Sequence, residues 1–397
     1  MRFGLDAAQA EADAFLRGTA PDHSLWLRVD PNVQWQPQRG LELRAAVRLD
    51  AYRQSGRPAF SDTEIEPAET YVRWRQGSAR FTVGAQTMIW GRVDELPLID
   101  RVSRVDLARG PLDRLQDRRL ANWALRWEQN WGDYKSDLIV LPHSLGARLP
   151  DVRSAWSPVN QASGEVLGID APPALQAFVR GASVREDVHG AGGAAWRLTR
   201  TGVPPLDFGV TFGRVRQPLP YYRADFLAKT FTATYPWQTF GGVDAEWVAG
   251  GLTWRTELVA TDGVPATALD GRMLTGRSLE WAGGMEWFPG GGETRLNLQL
   301  VARHLSGVDE RTLELKRYVG LNGEAATTFG QGRWKLSARF ASGLGVHDVY
   351  VSPKLSYVGW EPHEFYIAAH VFSGERRTVG GFYRDNDLIA VGVKTRF

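Results

Sequence analysis

The chain has 397 residues, 43 % of them hydrophobic, with 47 basic and 45 acidic side chains and a formal charge of +2. No run approaches the roughly 18 apolar residues of a membrane-crossing helix, and the near balance of charge gives no ground for nucleic-acid binding. Cysteine is absent, which excludes disulfides, thiol catalysis and Cys-based zinc or iron–sulfur centres.

In chain order, Met1-Arg2-Phe3-Gly4 has no apolar core of a secretion signal behind it, so an exported protein is expected to have had its signal removed. Residues 5–17 (LDAAQAEADAFLR) predict a short helix, with Asp6 at its start and Gly18 at its end. Residues 1–22 are therefore set apart as a helix-like segment before the main domain, 23–397.

After Pro21 the period changes to two. Leu41, Leu43, Ala45, Val47, Leu49 and Ala51 face one way, and Glu42, Arg44, Ala46, Arg48, Asp50 and Tyr52 the other. The same split recurs over 68–75, 80–89 and 121–128. It is more regular over 252–258, 279–287, 295–303, 334–340, 364–371 and 389–397. Short connections (37–40, 76–78, 130–133, 201–206, 248–251, 289–293, 330–333, 359–363) alternate with long ones (53–66, 91–119, 142–193, 216–241, 262–277, 373–387).

Two-faced strands of about ten residues, joined alternately by short turns and long loops, predict an all-β, transmembrane antiparallel up-and-down β-barrel in a bacterial outer membrane. The count is about 16 strands, with 18 as the alternative; an odd segment near 25–35 must be split, or be something other than a barrel strand, for the count to be even. The 43 Gly suit tight turns, and the 16 Trp suit a membrane interface. A soluble sandwich or propeller would need one shared core for all these strands, and its polar face carries too many full charges for that. Phe397, an aromatic last residue on an alternating strand, is the expected signal to the outer-membrane assembly machinery. The other expected partners are outer-membrane lipid and envelope or periplasmic proteins.

Only six of the 47 basic residues are Lys. The polar face carries Arg44, Arg48, Arg73, Arg75, Arg80, Arg126, Arg255, Arg295, Arg303 and Arg339, which predicts an arginine-lined lumen favouring anions. Glu and Asp share that face, so pairing across the lumen is the competing expectation. Loop 91–119 carries Arg92, Asp94, Glu95, Asp100, Arg101, Arg104 and Asp106 beside Leu96, Leu98, Ile99, Val102, Val105 and Leu107. Apolar points in a long charged loop predict a segment folded inward as a constriction. Segment 142–193 predicts an extracellular loop with a short helix near 174–184.

Seven His are present, none in HExxH or metal-ligand spacing, and GxSxG is absent. No enzyme, metal or cofactor is expected. The reading is a channel passing or exporting a polar, anionic solute. The rivals are an importer of hydrophobic compounds, a closed structural barrel that docks envelope proteins, and a barrel lipase.

Residues 83–142 contain Gln-x-x-x-Trp-Gly at a strand end, then ID-x-V-x-x-x-D, LxDRR…W and Leu-Pro. This stretch resembles a domain-of-unknown-function family of proteobacterial outer-membrane barrels, similar to porin and alginate-export-like barrels. The resemblance implies an outer-membrane location and a transport role, with no catalytic residue.

Overall fold

The computed structural model describes residues 1–18, 21–202, 205–308 and 311–396. Among them eighteen strands close into one antiparallel barrel. They are β1 (Arg2–Phe15), β2 (His23–Gln38), β3 (Leu41–Ser55), β4 in two pieces (Phe60–Pro67 and Thr70–Gln76), β5 (Ala79–Gln86) and β6 (Asn122–Trp131). Next come β7 (Tyr134–Leu141), β8 (Gly193–Arg200), β9 (Leu206–Arg216), β10 (Trp237–Ala249), β11 (Leu252–Thr267) and β12 (Met273–Trp287). The last six are β13 (Thr294–Ser306), β14 (Arg317–Phe329), β15 (Trp334–Gly343), β16 (Asp348–Trp360), β17 (His363–Gly374) and β18 (Leu388–Arg396). Register from Ala7↔Arg396 to Phe15↔Leu388 joins β1 to β18 and removes the sheet's free edges.

The faces are inverted relative to a soluble protein. Leu25, Leu27, Val47, Leu49, Trp123, Leu125, Phe212 and Val391 are exposed, while Asp50, Glu128, Asp244 and Glu257 are buried. Near the short turns aromatic rings stack between neighbouring strands: Trp74 on Phe81, Phe81 on Trp127, Trp247 on Trp254, Phe329 on Trp334 and Trp360 on Phe365. Such a belt marks the level where hydrocarbon meets water. No helix among the described residues is long and apolar enough to cross a membrane; the strands do the crossing. An apolar outer band, an aromatic girdle and a charged interior make this a bacterial outer-membrane protein.

The strand count is the larger of the two expected. The odd segment near 25–35 is β2, and its neighbour comes from residues 1–22: the helix predicted over 5–17 is strand β1, so the barrel begins at Arg2 and not at residue 23. Ala, Glu and Gln are good helix formers, but here they also alternate. Gln9, Glu11 and Asp13 turn inward to Tyr366, Arg109 and Ser24. Ladders on both edges, to β2 and β18, outweigh a local propensity worth only tenths of a kcal/mol per residue. A bulge between Leu5 and Ala7 resets the register, which blurs the period at the start of the strand.

Two predicted long connections are shorter than expected. Residues 53–66 are mostly the ends of β3 and β4, and residues 262–277 are mostly the ends of β11 and β12. β4 breaks at residues 68–69, where the Thr70 hydroxyl donates to the Ala46 carbonyl at 2.9 Å and accepts from the Ala46 N–H at 3.0 Å. Phe397 lies outside the described residues.

The long loops lie at one end, opposite the turn at 39–40 and its equivalents. In segment 142–192, Pro173 opens a helix at the first helical position (Pro173–Gly181). The helix buries Leu175 and Val179 with Phe231 in one apolar cluster. Phe231 belongs to a small outer sheet of Ser183–Asp187, Tyr221–Asp225 and Thr230–Thr234.

Candidate functional site: a loop across the lumen and the chamber beneath it

Residues 87–121, between β5 and β6, turn into the barrel. Met88, Trp90, Ile99 and Val102 are buried against Ala124, Ile139, Ala195, Val215, Phe240 and Val259, the inner faces of β6 to β11. Of the apolar points expected from the sequence, Ile99 and Val102, with Leu98 partly buried beside them, are contacts with the wall, whereas Leu96 is exposed. Glu257 fixes this part of the loop. Its buried carboxylate accepts from the backbone N–H groups of Arg92, Val93, Leu98 and Ile99 at 2.5–3.0 Å. Arg92 adds an ion pair to Asp244 at 2.5 Å, and Asp94 lies between Arg255 at 3.3 Å and Arg295 at 2.8 Å.

From Arg104 onward charge takes over. Arg104 pairs with Glu66 at 2.5 Å. Asp106 accepts from Arg28 at 3.0 Å and Arg148 at 3.4 Å, and both arginines also pair with Asp50. Arg148 belongs to loop 142–192. Its backbone N–H donates to the Val105 carbonyl at 2.9 Å, and the Leu107 N–H donates to the Arg148 carbonyl at 2.8 Å. The two loops are therefore stitched together inside the barrel. Arg28 and Arg109 both lie over the Trp26 ring, at 4.6 and 4.1 Å. Arg109 pairs with Glu11, Arg114 with Glu324, and Asp117 with Lys394 and Arg396. The loop thus touches β1 to β4, β6 to β15 and β18, around most of the lumen.

Other predicted loop residues fall within this network. Asp100 accepts from Arg119 at 2.9 Å and from the Ser103 hydroxyl at 2.6 Å, and burial still holds it above the usual carboxylate range. Arg101 pairs with Glu280. Glu95 lies within electrostatic reach of Arg118 and Arg339.

The predicted wall arginines divide into two groups. Seven are paired with carboxylates: Arg44 with Asp6, Arg48 with Asp30, Arg73 with Glu42, Arg80 with Glu128, Arg126 with Asp137, Arg255 with Glu246, and Arg295 with Glu286. The other three are not, among the described residues. Arg75 is exposed at the short-turn end of β4. Arg303 faces Glu280 in register, but Glu280 is held by Arg101. Arg339 donates to neutral oxygens, the carbonyls of Leu112 at 2.8 Å and Asp113 at 3.5 Å and the Tyr350 hydroxyl at 2.8 Å.

Beneath residues 109–117 of the loop lies a cavity of about 280 Å³, walled by β1 and β15 to β18. Its lining has seven cationic side chains against four carboxylates (Glu11, Asp113, Asp117 and Glu364). Lys335, Ser337 and Arg339 succeed one another on the inner face of β15. Across the ladder they face Ser356, Lys354 and Ser352, so each cation stands opposite a small hydroxyl. Lys354 pairs with Glu364 at 2.7 Å, whereas Lys335 has no carboxylate partner among the described residues. Wall cations separated by small donors leave room and offer both charge and hydrogen bonds to an oxyanion.

Counting arginines missed this chamber. A signal was present: Lys335, Lys354 and Lys394, half of the chain's six lysines, all fall at inward positions of the last four strands. What could not be read was their convergence with Arg109, Arg114 and Asp117, which a loop brings in from more than 200 residues away in sequence.

No family model matches the chain, and no curated protein matches it. Solved structures do, at low identity. *Pseudomonas aeruginosa* OccK5 (OpdH) matches with a TM-score of 0.53 and 10 % identity over 99 % of this chain and 97 % of that one. *Acinetobacter baumannii* OccAB1 matches with a TM-score of 0.53 and 9 % identity over 98 % and 95 %. *Salmonella typhi* OmpF, solved in complex with daunomycin, matches with a TM-score of 0.50 and 8 % identity over 100 % and 97 %. The chain therefore has the fold of the outer-membrane porins, an eighteen-stranded barrel crossed by a loop of its own.

Proposed function

We propose that the protein is an outer-membrane channel for small anionic solutes, with loop 87–121 as its constriction and the chamber beneath as its selective region. The observation that carries this reading is the pair Lys335 and Arg339, neither of which contacts a carboxylate among the described residues, facing a cavity of about 280 Å³ inside a low-dielectric wall; Glu324, itself held by Arg114, acts on both only through space. Such a wall concentrates the field of uncompensated cations along the path. The paired arginines add rigidity and little net field. In this reading residues 83–142, the stretch similar to porin and alginate-export-like barrels, form a functional unit of strand, constriction and strand.

A second reading, a barrel shut by its loops, is favoured by the apolar seal around Trp156. This residue of loop 142–192 packs on Phe15, Phe372 and Tyr383 at 5.5–6.1 Å. Planar-bilayer recordings in a potassium chloride gradient decide between the two. The channel reading expects steady conductance with an anion-preferring reversal potential, which moves towards cations in Lys335→Glu and Arg339→Gln. A silent barrel supports the shut form, and a cation-preferring one overturns the proposal.

A further inference from the structure

The cations of the chamber are of two kinds. Among the described residues Lys335 and Arg339 on β15 contact no carboxylate, whereas Lys394 and Arg396 on β18 share one, Asp117, at 2.7 and 2.9 Å. Asp117 is not part of the wall. It is carried by the single helical turn Leu115–Arg118 of the inner loop. Its carbonyl accepts from Arg28 at 3.2 Å and Arg48 at 3.4 Å, which fixes its backbone to β2 and β3 while its side chain reaches β18, two strands on around the wall. Neighbouring Gln116 is exposed and lines the same chamber.

Conduction requires a solute to bind well enough to enter and weakly enough to leave. With Asp117 absent, Lys394 and Arg396 would join Lys335 and Arg339 as cations with no carboxylate of their own among the described residues, Lys394 then sharing the facing Glu364 with Lys354, and a multiply charged anion would be slow to leave. A carboxylate from the loop is chemically the same ligand as a carboxylate solute, and it sits on the last two cations before the short-turn end of β18. We infer that Asp117 is the pore's resident counter-anion: a passing oxyanion exchanges with it on Lys394 and Arg396, and its return releases the solute. This rests on the anion-channel reading and adds to it the device that sets residence time.

The test uses the full-length barrel in planar bilayers, with malonate as the probe dianion inhibiting chloride current. Asp117→Asn is expected to lower the half-inhibitory malonate concentration about tenfold, the sum of two freed, partly screened cations, while Asp117→Glu stays near wild type. Gln116→Glu, at an exposed position that does not endanger folding, adds a second competitor and raises that concentration. Unchanged inhibition in Asp117→Asn, or in Gln116→Glu if the first variant does not assemble, overturns the counter-anion role and leaves the channel reading intact. So does a malonate effect absent from wild type and variants alike. A cation-preferring reversal potential in the wild type overturns the channel reading itself.

Discussion

Gly91 and Glu257 are fitted to each other: a Cβ added at residue 91 would lie 2.7 Å from Glu257 Oε1 and 2.7 Å from Pro97, and Gly91 has a φ of +95°. The turn that enters the lumen therefore needs a residue without a side chain, both for its backbone conformation and for the carboxylate it encloses. Gly91→Ala is expected to unseat the first part of the loop. Glu257→Gln is milder, since the amide keeps an oxygen but loses charge-assisted bonding, at about 1–3 kcal/mol. Proteolytic cleavage within 87–121 should rise in both, more steeply in Gly91→Ala. Equal protection would show that the apolar contacts of Met88 and Ile99 suffice.

The cluster of Arg28, Asp50, Asp106 and Arg148 joins both inner loops to β2 and β3. Removing one member leaves a buried charge without its partner, which typically costs about 3–5 kcal/mol. Asp106→Ala should therefore loosen loop 142–192 as well as 87–121, and a double-mutant cycle with Arg148→Gln should show coupling well above 0.5 kcal/mol. Additive effects would mean that the loops are held independently.

Selectivity should follow unpaired charge and not arginine content. Arg44→Gln and Arg48→Gln remove cations that already face Asp6 and Asp30, so the reversal potential should move less than in Lys335→Gln or Arg339→Gln. An equal shift from all four would assign the field to the whole wall.

Acid should release the end of the loop. Burial acts to raise the Asp117 carboxyl, but Lys394 and Arg396 outweigh it and hold the group below its ordinary value of 3.8. A depressed folded-state value means that the contact stabilises the fold fully above the ordinary carboxylate range and is lost as pH falls through the depressed value. With sulfate as the probe, which stays a dianion over this range whereas malonate takes up a proton, inhibition should therefore be flat from pH 7 to about pH 5 and strengthen in wild type only below about pH 4. Asp117→Asn should lack that acid limb. A limb that persists in the variant would assign it to another carboxylate.

The architecture was legible because hydrocarbon outside and water inside impose alternation on each crossing strand separately. Leu41 to Tyr52 declares its two faces without help from any neighbour, and the apolar points of residues 91–119 announce a loop that must be covered. β1 was not legible: its Ala, Glu and Gln satisfy a helix as well as a strand, and only pairing with β2 and β18 selects between them.

By itself, then, the sequence determined the barrel, its outer-membrane setting, a charged interior and an inward loop, since these depend on periods and compositions local to each segment. The tertiary structure alone decided which charges remain uncompensated. Arg44 and Arg339 are indistinguishable as inward arginines, yet one meets Asp6 and the other meets only neutral oxygens. Net field is a sum over partners brought together by strand register and by a loop that crosses the lumen, and no single segment contains that sum.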